Sequence, residues 1–115
     1  YGTVTGVQTC ALPIFRWTLN AMIIAEELGI TSANAASMAA DADASAGVKR
    51  LLGVEGGYGG MLGLADDAFL NAISAVGNYG ESFDRNVGPD TAVGLERGLN
   101  ALWTDGGILY APPFR

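Results

Sequence analysis

The stretch Val76–Gly88, V-G-N-Y-G-E-S-F-D-R-N-V-G, decides the fold. Counted from Phe69, apolar positions fall at Phe69, Ala72, Ile73, Val76, Gly80 and Phe83, which is one stripe of a helix. Asp66 and Asp67 stand at its start, as an N-cap and a first-turn carboxylate favoured by the helix dipole. Gly88-Pro89 is the stop, because Gly takes a left-handed cap and Pro cannot continue the hydrogen-bond ladder. Gly77 and Gly80 each cost about 0.8–1 kcal/mol against Ala inside a helix. They predict a close approach to another backbone, or a break at Gly77.

Beyond this stretch, Gly88-Pro89-Asp90 reads as a turn, and Asp90 or Thr91 as the cap of a further helix. Ala92, Leu95, Leu99 and Leu102 would line its buried face, with Glu96 and Arg97 turned to solvent and Trp103 closing the stripe. Thr104–Gly107 is a turn signal, and Ile108–Tyr110 a short edge segment. Ala111-Pro112-Pro113-Phe114 must be extended.

Before it, Gly53–Leu64 is dense in glycine and reads as a connecting loop or a frayed helical turn. Gly57, Gly59 and Gly63 fit G-x-G-x-x-x-G, but a dinucleotide loop follows a strand, and Val48–Leu52 is helical in spacing. Ser45 or Asp43 caps a short helix through Val48, Leu51 and Leu52. Asp41–Gly47 is a polar loop or a helix continuation; its aspartates lack the further oxygen ligands and glycine of a calcium loop. Thr31-Ser32-Ala33-Asn34 caps an Ala-rich helix through about Ala40. Phe15–Leu28 is a helix with Trp17, Ala21, Ile24 and Leu28 on one stripe, widened by Leu19, Met22 and Ile23, and ended by Gly29.

Val4–Ile14, V-T-G-V-Q-T-C-A-L-P-I, stands apart. It resembles a common sequencing adapter translated in frame, so residues 1–14 are read as non-native and set aside, leaving 15–115 as the unit. The other reading is a native strand, since V-T-G-V-Q-T alternates weakly. Cys10, the single cysteine, lies in this stretch and makes neither an internal disulfide nor a multi-cysteine metal site.

The expected fold is mainly α: helices over 15–28, 67–87 and 91–103, shorter ones between them, and an extended Pro-Pro tail. A net charge of −6 with six basic residues disfavours nucleic acid. No apolar run is long enough to span a membrane. There is no histidine, hence no Ser–His or Cys–His nucleophile pair within the chain, and the expectation is no catalytic residue, no cofactor and no metal. Glu26-Glu27 and Asp66-Asp67 are adjacent pairs whose side chains diverge on a helix, which suits capping and solvation. Trp17, Tyr58, Tyr79, Trp103 and Tyr110 are the residues available to floor a ligand pocket, though aromatics at helical spacing usually build core.

Gly77, Tyr79, Glu81, Phe83, Arg85, Val87 and Gly88 fall at the spacing of the closing helix of periplasmic polar-amino-acid-binding proteins. Arg97–Thr104, Gly106-Gly107 and Tyr110–Arg115 resemble the C-terminus of the general L-amino-acid-binding proteins of ABC importers, as do Arg16–Met22 and Ala25–Asn34. The resemblance covers Phe15–Arg115 and implies a C-terminal piece of a larger protein. Such a parent is expected to have two α/β lobes and a cleft closing on a free L-amino acid. It would work in the periplasm and deliver its load to membrane permease subunits. The residues that grip the amino acid come mainly from earlier loops and the hinge, so no ligand-binding residue is assigned here. A different reading is an independent helical interaction module that binds a partner through exposed apolar faces and has no small-molecule ligand.

Overall fold

The computed structural model of the protein describes the backbone of residues 2–114 and the side chains of residues 11–114. Among the described residues six helices follow one another: α1 (Gly2–Glu27), α2 (Ala35–Ala40), α3 (Ala46–Leu51), α4 (Tyr58–Met61), α5 (Ala68–Val76) and α6 (Tyr79–Asn86). Two 3₁₀ turns, Gly98–Asn100 and Trp103–Asp105, lie in the last stretch. Among the described residues there is no strand, only one isolated parallel bridge between Leu102 and Leu109. The chain is mostly helical, as its periodicity predicts.

α1 is the spine, with α5, α6 and α3 packed against it and α2 resting on α5 and α3. Ala21, Ile24 and Ala25 of α1 are buried with Ile30, Leu51, Leu52, Phe69 and Ile73, and Trp17 and Leu28 pack half-buried against them. The stripe expected on Phe15–Leu28 is therefore the face that makes the core. The backbone of α1 nevertheless runs from Gly2 without a break at residue 14, and Pro13 lies inside it. The helix does not begin at Phe15, and the strand alternative for Val4–Thr9 is excluded by the helical backbone there. Packing by side chains 2–10, Cys10 included, lies outside the described residues.

Ser45 caps α3 through its hydroxyl, which accepts from the Val48 N–H at 3.4 Å. Ahead of α2, Thr31 and Asn34 bond reciprocally: the Thr31 N–H donates to Asn34 Oδ1 and the Asn34 N–H to Thr31 Oγ1. α4 is a single turn in the glycine-dense stretch, between Gly57 and Gly63, both with positive φ.

The single helix expected over 67–87 is two. At Gly77 the backbone takes φ 85°, ψ −175°, which only glycine adopts easily, and Asn78 restarts the helix in a new direction. Asp67 occupies the N-cap position of α5, but its side chain makes no capping bond.

The helix expected over 91–103 is absent. Gly94 (φ 65°) and Gly98 (φ 49°) take left-handed conformations that stop a right-handed helix twice within five residues. Thr91 turns back on Gly88 instead, its hydroxyl donating to the Gly88 carbonyl at 2.7 Å. Ala92, Leu95 and Leu99 are exposed, and only Leu102 of the expected buried face is buried. Residues 88–114 thus form a strap that bonds partly to itself: the Trp103 N–H donates to Leu109 O and the Leu109 N–H to Ala101 O.

Candidate functional site

The start of α6 is the most densely bonded junction. Asn78 and Glu81 form a capping box, with the Glu81 N–H donating to Asn78 Oδ1 at 2.9 Å and the Asn78 N–H to Glu81 Oε2 at 3.1 Å. Both side chains also reach the loop after α1. Asn78 Nδ2 donates to the Ile30 carbonyl at 2.8 Å, and the Ser32 N–H donates to both carboxylate oxygens of Glu81. Among the described residues Asn78 is the one buried polar side chain, and all its groups are used. Sequence reading took Glu81 only as part of a spacing motif; Asn followed three residues later by Glu was the local signal for the box.

Arg97, expected in solvent, is clamped. Its Nη1 and Nη2 donate to the two carboxylate oxygens of Glu26 at 2.7 and 2.9 Å, and its Nε and Nη2 to the Asn100 carbonyl. The guanidinium lies 5.4 Å from the Tyr79 ring centre and 5.5 Å from that of Phe83. Hydrogen bonding to Glu26 raises the Arg97 pKa above the ordinary arginine value. Partial burial opposes this, while the charges of Glu26, Asp84 and Tyr79 add to it. Gly80 makes room: a side chain there would strike the Glu26 carboxylate and Arg97 Nη1. The close approach expected at Gly80 was to another backbone; the groups that crowd it are these two side chains instead.

The five candidate pocket aromatics separate into three places. Trp17 and Tyr58, with Phe69, surround Phe114 edge-on at 5.2, 5.6 and 5.2 Å between ring centres, beside an apolar cavity of about 160 Å³. Trp103 and Tyr110 pack edge-on at 6.2 Å and wall a second cavity of about 310 Å³ floored by Ile24, Leu28 and Leu51. Tyr79 faces Arg97.

Neither adjacent carboxylate pair acts as a pair. Glu26 turns to Arg97, while Glu27 lines the larger cavity with Arg50. Among the described residues, neither Glu27 nor Arg50 is in an ion pair, and no group of three side chains is placed to hold a metal. Asp41 Oδ1 accepts from the Asp43 N–H in a tight local turn. The arrangement supplies two hollows, the smaller apolar and the larger with Glu27 and Arg50 on its wall, and two polar junctions.

The chain is 52% identical over 102 residues to the glutamate/glutamine/aspartate/asparagine-binding protein BztA of Rhodobacter capsulatus, a match to 89% of this chain and 30% of that protein. It is 49% identical over 104 residues to the general L-amino acid-binding periplasmic protein AapJ of Rhizobium johnstonii, again 89% of this chain and 30% of that one. Its fold superposes on an ABC transporter periplasmic binding protein of Brucella ovis, solved with glutathione bound, with a TM-score of 0.80 and 46% identity over 87% of this chain and 31% of that one. No family model matches. The chain spans about 30% of the length of the relatives it matches.

Proposed function

We propose that this chain, homologous to the substrate-binding proteins of amino-acid ABC transporters and matching a fragment of them, serves a longer protein that captures free L-amino acids in the periplasm and hands them to the permease subunits of the importer. Identity of 52% over 89% of the chain to an amino-acid-binding relative carries this reading. In it the protein binds and releases its ligand unchanged and is no enzyme.

The part played by this stretch is to brace a lobe. Its longest-range hydrogen bonds tie helix starts and the strap to α1 and the loop after it, which is the work of a brace. The amino-acid contacts then come from the rest of the longer protein. We take residues 15–115 as the unit, because the adapter-like stretch ends at Ile14. The interaction-module reading is not favoured, because similarity at this level runs to solute-binding proteins.

Calorimetry on two proteins tests the proposal. A chimera carrying residues 15–114 in place of the matching third of the Rhodobacter capsulatus relative is expected to bind L-amino acids, and this chain alone to give no heat of binding. Micromolar binding by the isolated chain would place the ligand site within it; a folded chimera that binds none would remove the transport reading.

A further inference from the structure

Phe114 does not fill the space that its three ring neighbours leave. A cavity of about 160 Å³ remains beside it, walled by Trp17, Tyr58, Phe69 and Phe114 and closed further by Leu62 and Met61. The four rings come from α1, α4, α5 and the end of the strap, so the hollow exists only where all four meet. No charged side chain lines it, and its side-chain polar groups are the Trp17 indole N–H and the Tyr58 hydroxyl. Pro113, also at the wall, has no backbone N–H to offer. Met61 lines the hollow while 75% exposed, which places it at the mouth.

We propose that this hollow is a binding site for one small, uncharged aromatic ring. Size sets the first limit: a dry apolar cavity of about 150 Å³ is enough to hold benzene. Pockets for drug-sized ligands begin at about 300 Å³, so a molecule much larger than one ring is excluded. Chemistry sets the second. A free amino acid would bring a carboxylate and an ammonium group to a wall that has no charge to meet them. Ordered water needs about two to four polar partners per molecule, and two side-chain groups serve a hollow of this size poorly. Shape sets the third. Trp17, Tyr58 and Phe69 already meet Phe114 edge-on, and a further ring extends the same edge-to-face packing. The Met61 thioether, flexible and polarizable, suits a ring at the mouth better than an alkyl chain. The site is separate from the amino-acid cleft of the longer protein and does not depend on it.

Benzene is the probe. Titrated into this chain and followed by methyl NMR, it is expected to shift the Met61 and Leu62 methyl signals saturably, with half the effect at or below about 1 mM. Intermolecular nuclear Overhauser effects from benzene to the same methyls are expected in the unmodified chain. Shifts that never saturate, or contacts only to exposed strap methyls such as those of Leu99 and Ile108, overturn the proposal, because they mark general solvation of apolar surface. Leu62→Trp puts a ring into the hollow and is expected to weaken binding by about tenfold or more. A Leu62→Trp variant with unchanged circular dichroism that binds benzene as before overturns the site. If that variant does not fold, Met61→Trp, a change at an exposed residue, takes its place with the same expectation. Leu99→Ser is expected to leave binding unchanged. The folded chimera is expected to bind benzene as well. Binding by this chain alone overturns the proposal, since the hollow would then be filled by the rest of the longer protein. So does competition in the chimera between benzene and L-amino acids, which would merge the two sites.

Discussion

The helical part, α1 to α6, and the strap over residues 88–114 are built on opposite plans. The first hides its apolar residues with the period of a helix, and Ile30, Leu51, Leu52 and Ile73 are almost wholly enclosed. The second has apolar residues at nearly the same spacing and exposes most of them. What differs is the backbone. Helical periodicity buries a face only where the chain is able to stay helical, and Gly94 and Gly98 prevent that in the strap. The strap is held instead at separate points, by the Arg97 clamp and by Phe114 among three rings.

The largest test of this division compares Ile73→Ala with Phe114→Ala. Both remove well-packed side chains, at a cost of about 2–5 and 3–5 kcal/mol respectively. Urea unfolding followed by far-ultraviolet circular dichroism should show Ile73→Ala lowering the helical midpoint. Amide exchange should show Phe114→Ala releasing residues 101–114 first. Equal loss of helical protection in both variants would mean that strap and helices form one cooperative unit. Next, Gly77→Ala forces a side chain into positive φ and against the Glu81 side chain, breaking the capping box. Backbone strain and the lost cap together cost roughly 2–4 kcal/mol, visible as faster exchange in α6; an unchanged midpoint would show that the break is not needed.

Arg97→Met keeps much of the apolar stem and removes the clamp. Hydrogen bonds to charged groups are worth about 1.5–3 kcal/mol, and the expected loss lies at the lower end because both side chains keep some contact with water. The sign with pH follows from the raised Arg97 pKa: its contribution is full below the ordinary arginine value and disappears only as pH rises through the higher folded one. The difference between wild type and Arg97→Met should therefore stay flat through the neutral range. A slope there would assign the effect to another titrating group. The smallest effect belongs to Leu99→Ser, within about 0.5 kcal/mol in this chain because the side chain is already in water; a drop of several times that would show that the strap is packed even here.

Much of the helical part was legible in sequence because its signals are local. Ser45 ahead of Val48, the stripe on 15–28 and the glycine at 77 each act within a turn or two. The strap was not legible for the same reason. Its geometry depends on Arg97 meeting Glu26 from 71 residues away, and on Phe114 reaching Trp17, Tyr58 and Phe69. The warning available was Gly94 and Gly98 four apart in a proposed helix, each costing about 1 kcal/mol against Ala. The junction at Asn78 fell between these cases: its box is local, but its bonds to Ile30 and Ser32 are not.

That double duty bears on the order in which the molecule assembles. A helix as short as α6 is marginal in isolation, because nucleation fixes several dihedral angles for one hydrogen bond. Asn78 and Glu81 lower that barrier locally, yet the same two side chains bind a loop 48 and 49 residues earlier. Closing that long loop and completing the first turn of α6 draw on one set of atoms. Starting the helix and docking it become a single event, and α6 should gain its protection from exchange at the moment the loop after α1 arrives.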